Sequence, residues 1–474
     1  MKKVMMVAGI ALGLLSPVLL CGQETGLLRL DKKQRIPQND LVLWSGIEEG
    51  RFRPVLDPRF QWSVGTEARL VRHGIHSSWR GTISLEQMSG KYNRSSFFLE
   101  PDYFPMDFLD YNLGTGSRQT GRVEAGYLAD FSDIWAAGFN ASLKAVNDTK
   151  RTAFRHSSLG MDVQLEPILT FRSDDDACLV SSYVVRLRTE RVKAEQPDGA
   201  VEGFKPVFFD RGMSYGAYVP DLTRFSVQEL THGFNESYYS PEMSMGFGIT
   251  WKRGRAGEND QRRFRFPGST LKGFFETVRE GFESDWTFHV SYQRMRDQFR
   301  EIRDSGNYGT HSDRVGRSLG LKMGFQPHEG VLKRVALDLD GNHWSERAFA
   351  GPIGDRTRRM DAAATLSASF SKGAFDLDAN LMGGKGGWMD RGRTADDAEG
   401  NGNLPLRRVD HWLRKTEYYL APRIGMGGTL TYRLPSVEGL SLQLHGYWTR
   451  AFNIIYLDGK NREVVTFTIR YQYL

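Results

Sequence analysis

Only two cysteines stand in 474 residues, Cys21 and Cys178. Cys21 falls inside the leader read below, so Cys178 alone is left for the mature chain. A single thiol closes no internal disulfide and founds no cysteine-based metal site. A large exported protein without disulfides has to draw its stability from elsewhere. Long apolar runs are missing as well. After Leu20 nothing approaches the ~20 apolar residues that a spanning helix needs, and mean hydropathy is −0.46. This excludes a helical membrane protein but leaves a β-barrel open, because barrel strands show only alternate residues to lipid. Neither sign of charge dominates. The net charge of +6 falls to +4 once Lys2 and Lys3 are removed, and no basic block is interleaved with stacking aromatics. Nucleic acid is therefore not an expected partner. No P-loop, dinucleotide fingerprint or Cys-x-x-Cys pair occurs, and Gly383-Gly384-Lys385-Gly386-Gly387 lacks the Walker spacing. No cofactor is expected.

The amino terminus is a leader. Lys2 and Lys3 form a basic start, Val4 to Leu15 an apolar stretch, and small Gly22 a cleavage point, so residues 1–22 read as a secretion signal. Leu20 stands where a lipoprotein signal has a small residue before its cysteine, which argues against lipidation at Cys21. Residues 23–58 are polar, contain three prolines and hold no sustained period. They read as a periplasmic segment that reaches into a lumen as a plug or contributes a first short strand. The barrel itself is expected over 59–474.

From Phe60 onward an alternation of period two recurs. Trp62, Val64, Thr66, Ala68 and Leu70 oppose Ser63, Gly65, Glu67 and Arg69. Trp135, Ala137, Phe139, Ala141 and Leu143 oppose Asn140, Ser142 and Lys144. Met243 to Lys252, Trp286 to Gln293, Ser318 to Phe325 and Phe375 to Leu381 repeat it, and the chain ends on Val465, Phe467, Ile469, Tyr471 and Tyr473 against Thr466, Thr468, Arg470 and Gln472. Successive strand side chains point to opposite faces, so each segment is two-faced. Charges at mid-strand (Arg69, Lys144, Lys252, Lys322, Asp376) suit a wet lumen and are the lumen or ligand candidates. Aromatic residues at the ends of the apolar rows suit interfacial girdles. The expectation is an all-β fold: a transmembrane antiparallel β-barrel of about 16 strands, with 14 to 18 compatible. Segments 88–119, 189–212, 253–268, 296–316, 345–360 and 384–417 are expected as long external loops. The stretch 211–242 is ambiguous. Phe467, Ile469, Tyr471 and Tyr473 on the last strand are the expected signal for the barrel-assembly machinery.

The segments Phe104-Pro105-Met106-Asp107, Gly114-Thr115-Gly116-Ser117-Arg118-Gln119, Glu124-Ala125-Gly126-Tyr127 and Trp135-Ala136-Ala137-Gly138-Phe139 resemble a Bacteroidota-type outer-membrane β-barrel family of unknown function. Asn147 to Arg151, Arg155-His156 and Met213 to Tyr218 extend the likeness. The resemblance implies fold and location in a Gram-negative outer membrane, with lipid and lipopolysaccharide as surroundings, and brings no catalytic or ligand residues. The chain is too short for a full TonB-dependent receptor and shows no globular plug domain.

Chemistry is thinly signposted. His289-Val290-Ser291 resembles the His-x-Ser pair of outer-membrane phospholipase, where serine attacks an ester and histidine takes its proton. Strand parity instead places His289 and Ser291 on the lumen side, and the Asn-Gly after the serine is absent. His73 and His76 flank a turn without a third ligand, and Asp174-Asp175-Asp176 reads as a charged turn; no metal site is assigned. Aromatics crowd two segments, among them Phe98, Tyr103 and Phe104 in one and Tyr215 and Tyr218 in the other. They can hold a ligand or form the small core of loops folded into the barrel mouth. Arg253, Arg255, Arg262, Arg263 and Arg265 would suit lipopolysaccharide phosphates. The functional expectation is a passive or loop-gated channel or transporter for a small solute or apolar ligand. A barrel-embedded hydrolase and a plugged structural or partner-binding barrel are the alternatives.

Overall fold

The computed structural model describes residues 39–473 except 53–57, 101–102, 105, 152–154, 174–176, 196–206, 211–215, 220–223, 259–262, 303–307, 349–354, 391–415, 456 and 458. The leader, Cys21, the Asp174 to Asp176 run, Tyr215 and Arg262 lie outside these residues.

Twenty strands follow in order: β1 Asn39–Gly50, β2 Phe60–His73, β3 Ser77–Ser96, β4 Asp107–Asp130, β5 Trp135–Lys150, β6 Arg155–Arg172, β7 Cys178–Glu195, β8 Val207–Asp210, β9 Gly216–Val219, β10 Arg224–Tyr239, β11 Met243–Glu258, β12 Phe264–Glu280, β13 Ser284–Ile302, β14 Tyr308–Pro327, β15 Leu332–Ala348, β16 Asp355–Lys372, β17 Phe375–Asp390, β18 Arg423–Arg433, β19 Leu440–Ala451 and β20 Asn461–Tyr473. Eighteen of them close into an antiparallel barrel. Each pairs with the next, β7 pairs with β10, and β1 closes on β20 through Asn39 opposite Tyr473 and Gly50 opposite Arg462. The short β8 and β9 form a hairpin outside that circuit, which adds to the far end of β4 with Phe108 opposite Phe209.

Closure follows from the solvent. Hydrocarbon offers no hydrogen bonds, so every backbone group must pair and no edge can remain. The outward rows are apolar and exposed, for example Leu41 and Leu43 on β1, Phe139 and Leu143 on β5, and Leu377 and Leu381 on β17. The connections at one end are short (74–76, 131–134, 173–177, 240–242, 281–283, 328–331, 373–374 and 434–439), and those between them at the other end are mostly longer. The end with the longer connections is the external one. Trp79, Trp135 and Trp286 stand near the short turns, while Trp62, Trp251, Tyr292 and Trp448 stand toward the external end, forming two girdles. The barrel therefore sits in an outer membrane.

The count of 18 exceeds the expected 16 by two strands with identifiable origins. β1 comes from the segment 23–58, for which a first short strand is one of the expected fates, but that strand is not among the 16 counted. β10 emerges from the ambiguous stretch, where the outward row carries His232 and Glu236 among Leu230, Phe234 and Tyr238 and so breaks the apolar alternation. The expected strand over 269–278 is present as part of β12. Among the described residues, the segments expected as long loops are largely strand: above the membrane both faces of the wall meet water, the period of two fades, and the hydrogen-bonded ladder nevertheless continues.

Candidate functional site

The described residues of the connection between β3 and β4 (97–100, 103, 104 and 106) turn inward and pack against the inner face of β7 and β10–β14 in the external half of the lumen. Its aromatic content explains the fold-back. Phe97, Phe98, Phe104 and Met106, with Phe108 at the start of β4, bury themselves against inward-facing Val192, Phe225, Val227, Ala256, Phe264, Phe266 and Phe299. Phe98 and Phe104 meet edge to face at 5.2 Å, and Phe104 meets Phe266 at 5.3 Å. Burying a large apolar side chain stabilises by roughly 1.5–3 kcal/mol. A loop with four such residues has strong reason to leave water.

Below this apolar cap the loop meets charge. Alternate residues of β7, β10, β11, β13 and β14 aim inward, and the register brings Arg188 opposite Glu229 and sets Thr231, Lys252, Gly268, Asp297 and Arg314 in one cross-strand row. Lys252 Nζ lies 2.8 Å from Asp297 Oδ1, and Arg314 Nη2 lies 2.9 Å from Asp297 Oδ2. Gly268 between them leaves the space: a Cβ there would stand 2.3 Å from Asp297 Oδ1 and 2.9 Å from Lys252 Cε.

Tyr103 at the tip of the loop plugs into this row. Its hydroxyl donates to Glu229 Oε1, and its carbonyl oxygen accepts from Arg314 Nη2 at 2.5 Å. Arg314 Nη1 also donates to the Phe104 carbonyl oxygen at 3.4 Å. The Arg188 guanidinium sits 4.1 Å and Lys252 Nζ 5.0 Å from the Tyr103 ring centre, both within cation–π range. Burial, then the neighbouring Glu229 carboxylate, push the Tyr103 hydroxyl above its ordinary pKa, so it stays a donor. Glu100 forms a second anchor, accepting from Arg188 Nη1 at 2.8 Å and Lys144 Nζ at 3.0 Å. Burial would raise its carboxyl, but Arg188 and then Lys144 outweigh burial and hold it down at about 2. The Leu99 amide donates to buried Glu190 Oε1 at 2.6 Å.

A second element covers the opposite side of the lumen. The helical turn Thr416–Leu420 packs Tyr418 on Phe52 at 5.0 Å, beside Ala421 and Ala451. Arg423 Nη1 donates to the Tyr418 and Tyr419 carbonyl oxygens, and Glu417 accepts the backbone N–H groups of Ile455 and Leu457.

All five lumen candidates from the sequence face inward, but they do not form one site. Lys144 and Lys252 hold the loop. Arg69 pairs with Glu67 and Asp40, Lys322 with Asp338 at 3.2 Å, and Asp376 with Arg433, each on its own part of the wall. Phe98, Tyr103 and Phe104 belong to the inward loop; Tyr218 lies on β9. His289 and Ser291 face the lumen, where His289 Nδ1 lies 3.2 Å from Glu276 Oε2 and Ser291 packs beside Gly320. Phe467, Ile469, Tyr471 and Tyr473 line the outward face of the closing strand. Glu229, Asp297, Arg314 and Glu190 escaped sequence reading. Their one signal was inward parity, which was hidden because Asp297 and Arg314 fell in an assumed loop and Glu229 in the ambiguous stretch. Among the described residues, no three His, Cys, Asp or Glu side chains are grouped to hold a metal ion.

No protein-family model matches this chain, and no curated protein matches it. Solved structures do. FpvA of Pseudomonas aeruginosa, bound to a heterologous pyoverdine, superposes with a TM-score of 0.50 at 8% identity, covering 92% of this chain and 72% of that one. The alcaligin outer-membrane receptor FauA from Bordetella pertussis gives 0.47 at 10% identity over 93% and 77%. The FrpB iron transporter from Neisseria meningitidis gives 0.46 at 9% over 95% and 83%. Of these three the first carries weight, and what it shows is fold. The class is thereby defined: this chain is an outer-membrane β-barrel protein of the Gram-negative envelope.

Proposed function

We propose that the protein is a loop-gated outer-membrane transporter for a small solute or apolar ligand, with residues 97–106 as the gate. A barrel of 16–18 strands is wide enough to hold an aqueous channel. Here a loop of the chain itself folds into the external half of that width and packs against β7 and β10–β14. The observation that carries the reading is the grip of Arg314 and Glu229 on Tyr103: the gate is held by a few polar contacts at its tip, which a ligand or a change in charge can exchange. The likeness in fold to FpvA, which was solved bound to a pyoverdine, is in keeping with passage of a ligand. The outward aromatic row of β20 supports docking on the barrel-assembly machinery in the same way. We also propose kinship with the Bacteroidota-type family, on segments that fall in the gate, on β4 and β5 and at the start of β6; the further stretch Met213 to Tyr218 lies partly outside the described residues.

Single-channel recording in planar bilayers tests the gate. Wild-type protein should show rare openings, and a variant with residues 98–105 replaced by a short Gly-Ser linker should show long, large conductance steps. A folded deletion variant that conducts no better than wild type would defeat the proposal and leave a permanently plugged barrel.

A further inference from the structure

The outward face of the wall changes character abruptly at the external edge of its apolar belt. On β13 the row Trp286, Phe288, Val290 and Tyr292 is followed by Arg294 and Arg296. On β14 it runs Met323, Leu321 and Leu319, then Arg317; on β15 Leu337 and Leu339 lead to His343; on β16 Leu366 and Met360 lead to Arg358 and Arg356. Trp251 on β11 is likewise followed by Arg253 and Arg255.

The register sets these cations against one another. Arg294 stands opposite Arg317, which stands opposite His343; Arg255 stands opposite Arg265, which stands opposite Arg300; Arg347 stands opposite Arg356. Like charges directly opposite on one sheet face are destabilising. Arg300 donates to Gln298 Oε1 at 2.5 Å, and Arg265 and Arg347 have partners of their own, but the row Arg294, Arg317 and His343 has little beside it to relieve the repulsion. On the outward face of β11–β16 above the belt, Asp313 is the one carboxylate among the described residues, and it serves Arg296 at 2.8 Å. Arg358 reaches Asp390 on β17 at 3.4 Å. Arg253, Arg255, Arg294, Arg317 and Arg356 make no hydrogen bond or ion pair with another described residue, and His343 Nδ1 is shielded from water without a partner.

The feature runs on from β11 to β10 and β7, where Arg224 stands opposite Lys193 and Arg191 shares the same outward row, and it does not reach β3–β5. At the same height β3, β4 and β5 present Gln87, Gln119 and Asn147 in one cross-strand row, with Ser89, Ser117 and Thr149 beside them, all neutral. General solubility would not restrict charge in this way. An anion lying between the rows would relieve the repulsion, and the rows stand next to the aromatic girdle at the external end, where lipid headgroups lie. Guanidinium forks match phosphate oxygens in pairs.

We propose that the outward face of β11–β16 is a binding site for the phosphate groups of an outer-leaflet glycolipid. This reading needs the fold alone and is independent of the gate.

The probe is bisphosphoryl lipid A offered to the purified protein in detergent micelles, with retained lipid read by native mass spectrometry. Dephosphorylated lipid A and phosphatidylglycerol form the other arms. Wild type should retain bisphosphoryl lipid A preferentially, and increasing salt should release it. Arg294→Gln/Arg317→Gln/Arg356→Gln should weaken retention at least tenfold, and Arg317→Gln alone several-fold. Lys91→Gln/Arg450→Gln, on other parts of the wall, should change nothing. Equal weakening by the control, or equal retention of the dephosphorylated lipid, would overturn the phosphate site. Equal retention of phosphatidylglycerol would overturn its assignment to the glycolipid.

Discussion

Arg314→Ala is the sharpest perturbation of the gate. Arg314 holds the loop by two carbonyl contacts, to Tyr103 at 2.5 Å and Phe104 at 3.4 Å, and holds the wall through Asp297. A hydrogen bond from a charged donor contributes about 1.5–3 kcal/mol, so losing one short and one long bond should weaken docking by about 2–3 kcal/mol. At ~1.4 kcal/mol per tenfold, the ratio of open to docked gate rises about 30- to 150-fold. The wall suffers less than it would at an isolated buried pair, where removing one partner costs about 3–5 kcal/mol, because Lys252 stays 2.8 Å from Asp297. The variant should therefore fold, shown by heat-dependent mobility on gels, and open far more often in single-channel records. Combining it with Tyr103→Phe should give less than the sum of the two effects, since both release the same loop. A correctly folded Arg314→Ala protein with wild-type open times would refute the claim that these contacts hold the gate.

Further outcomes follow from the same geometry. Gly268→Val puts carbon into the contact between Lys252 and Asp297; overpacking of this kind costs roughly 1–3 kcal/mol, and both a lower unfolding temperature and more frequent opening are expected, whereas wild-type gating would show that the row does not support the loop. Glu100 has its carboxyl held near 2, below the ordinary 4.5, so its hold on Arg188 and Lys144 is complete above pH ~4.5 and fades as pH falls toward 2. Conductance recorded across that window should rise with acid, and Glu100→Gln should remove that acid step and open the gate at neutral pH; an unchanged acid response would sink this assignment. Leu366 faces lipid and Thr365 faces the lumen, so Leu366→Arg should reduce folding stability by about 2–4 kcal/mol while Thr365→Arg is tolerated; equal yields of folded protein in lipid vesicles would argue against the assigned parity.

Legibility in the sequence followed the solvent. Where a strand separates hydrocarbon from lumen, as in β5, β11 or β13, the two sides demand opposite chemistry, and every second residue reports it. Where that contrast weakens the reading weakens too. β10 places His232 and Glu236 in its outward row, and β1 lies within a polar, proline-containing lead, so the count came out two strands low. Beyond the membrane the walls of β3, β4, β13 and β14 meet water on both sides, and their hydrogen-bonded extensions looked like loops. The crowd of aromatics from Phe97 to Phe108 was visible, and a loop core in the barrel mouth was one of its two readings. The direction of its fold and its anchors were not visible.

The chain by itself settled that alternate side chains must face lipid, and with that a closed antiparallel wall, its orientation and its final strand, because period and polarity are local properties. Only the closed barrel decided that Tyr103 meets Glu229, Asp297 lies between Lys252 and Arg314, and Arg294 faces Arg317. Those meetings depend on cross-strand register and on circular closure, which place residues far apart in the chain at neighbouring points of the wall, and no local pattern encodes such distances.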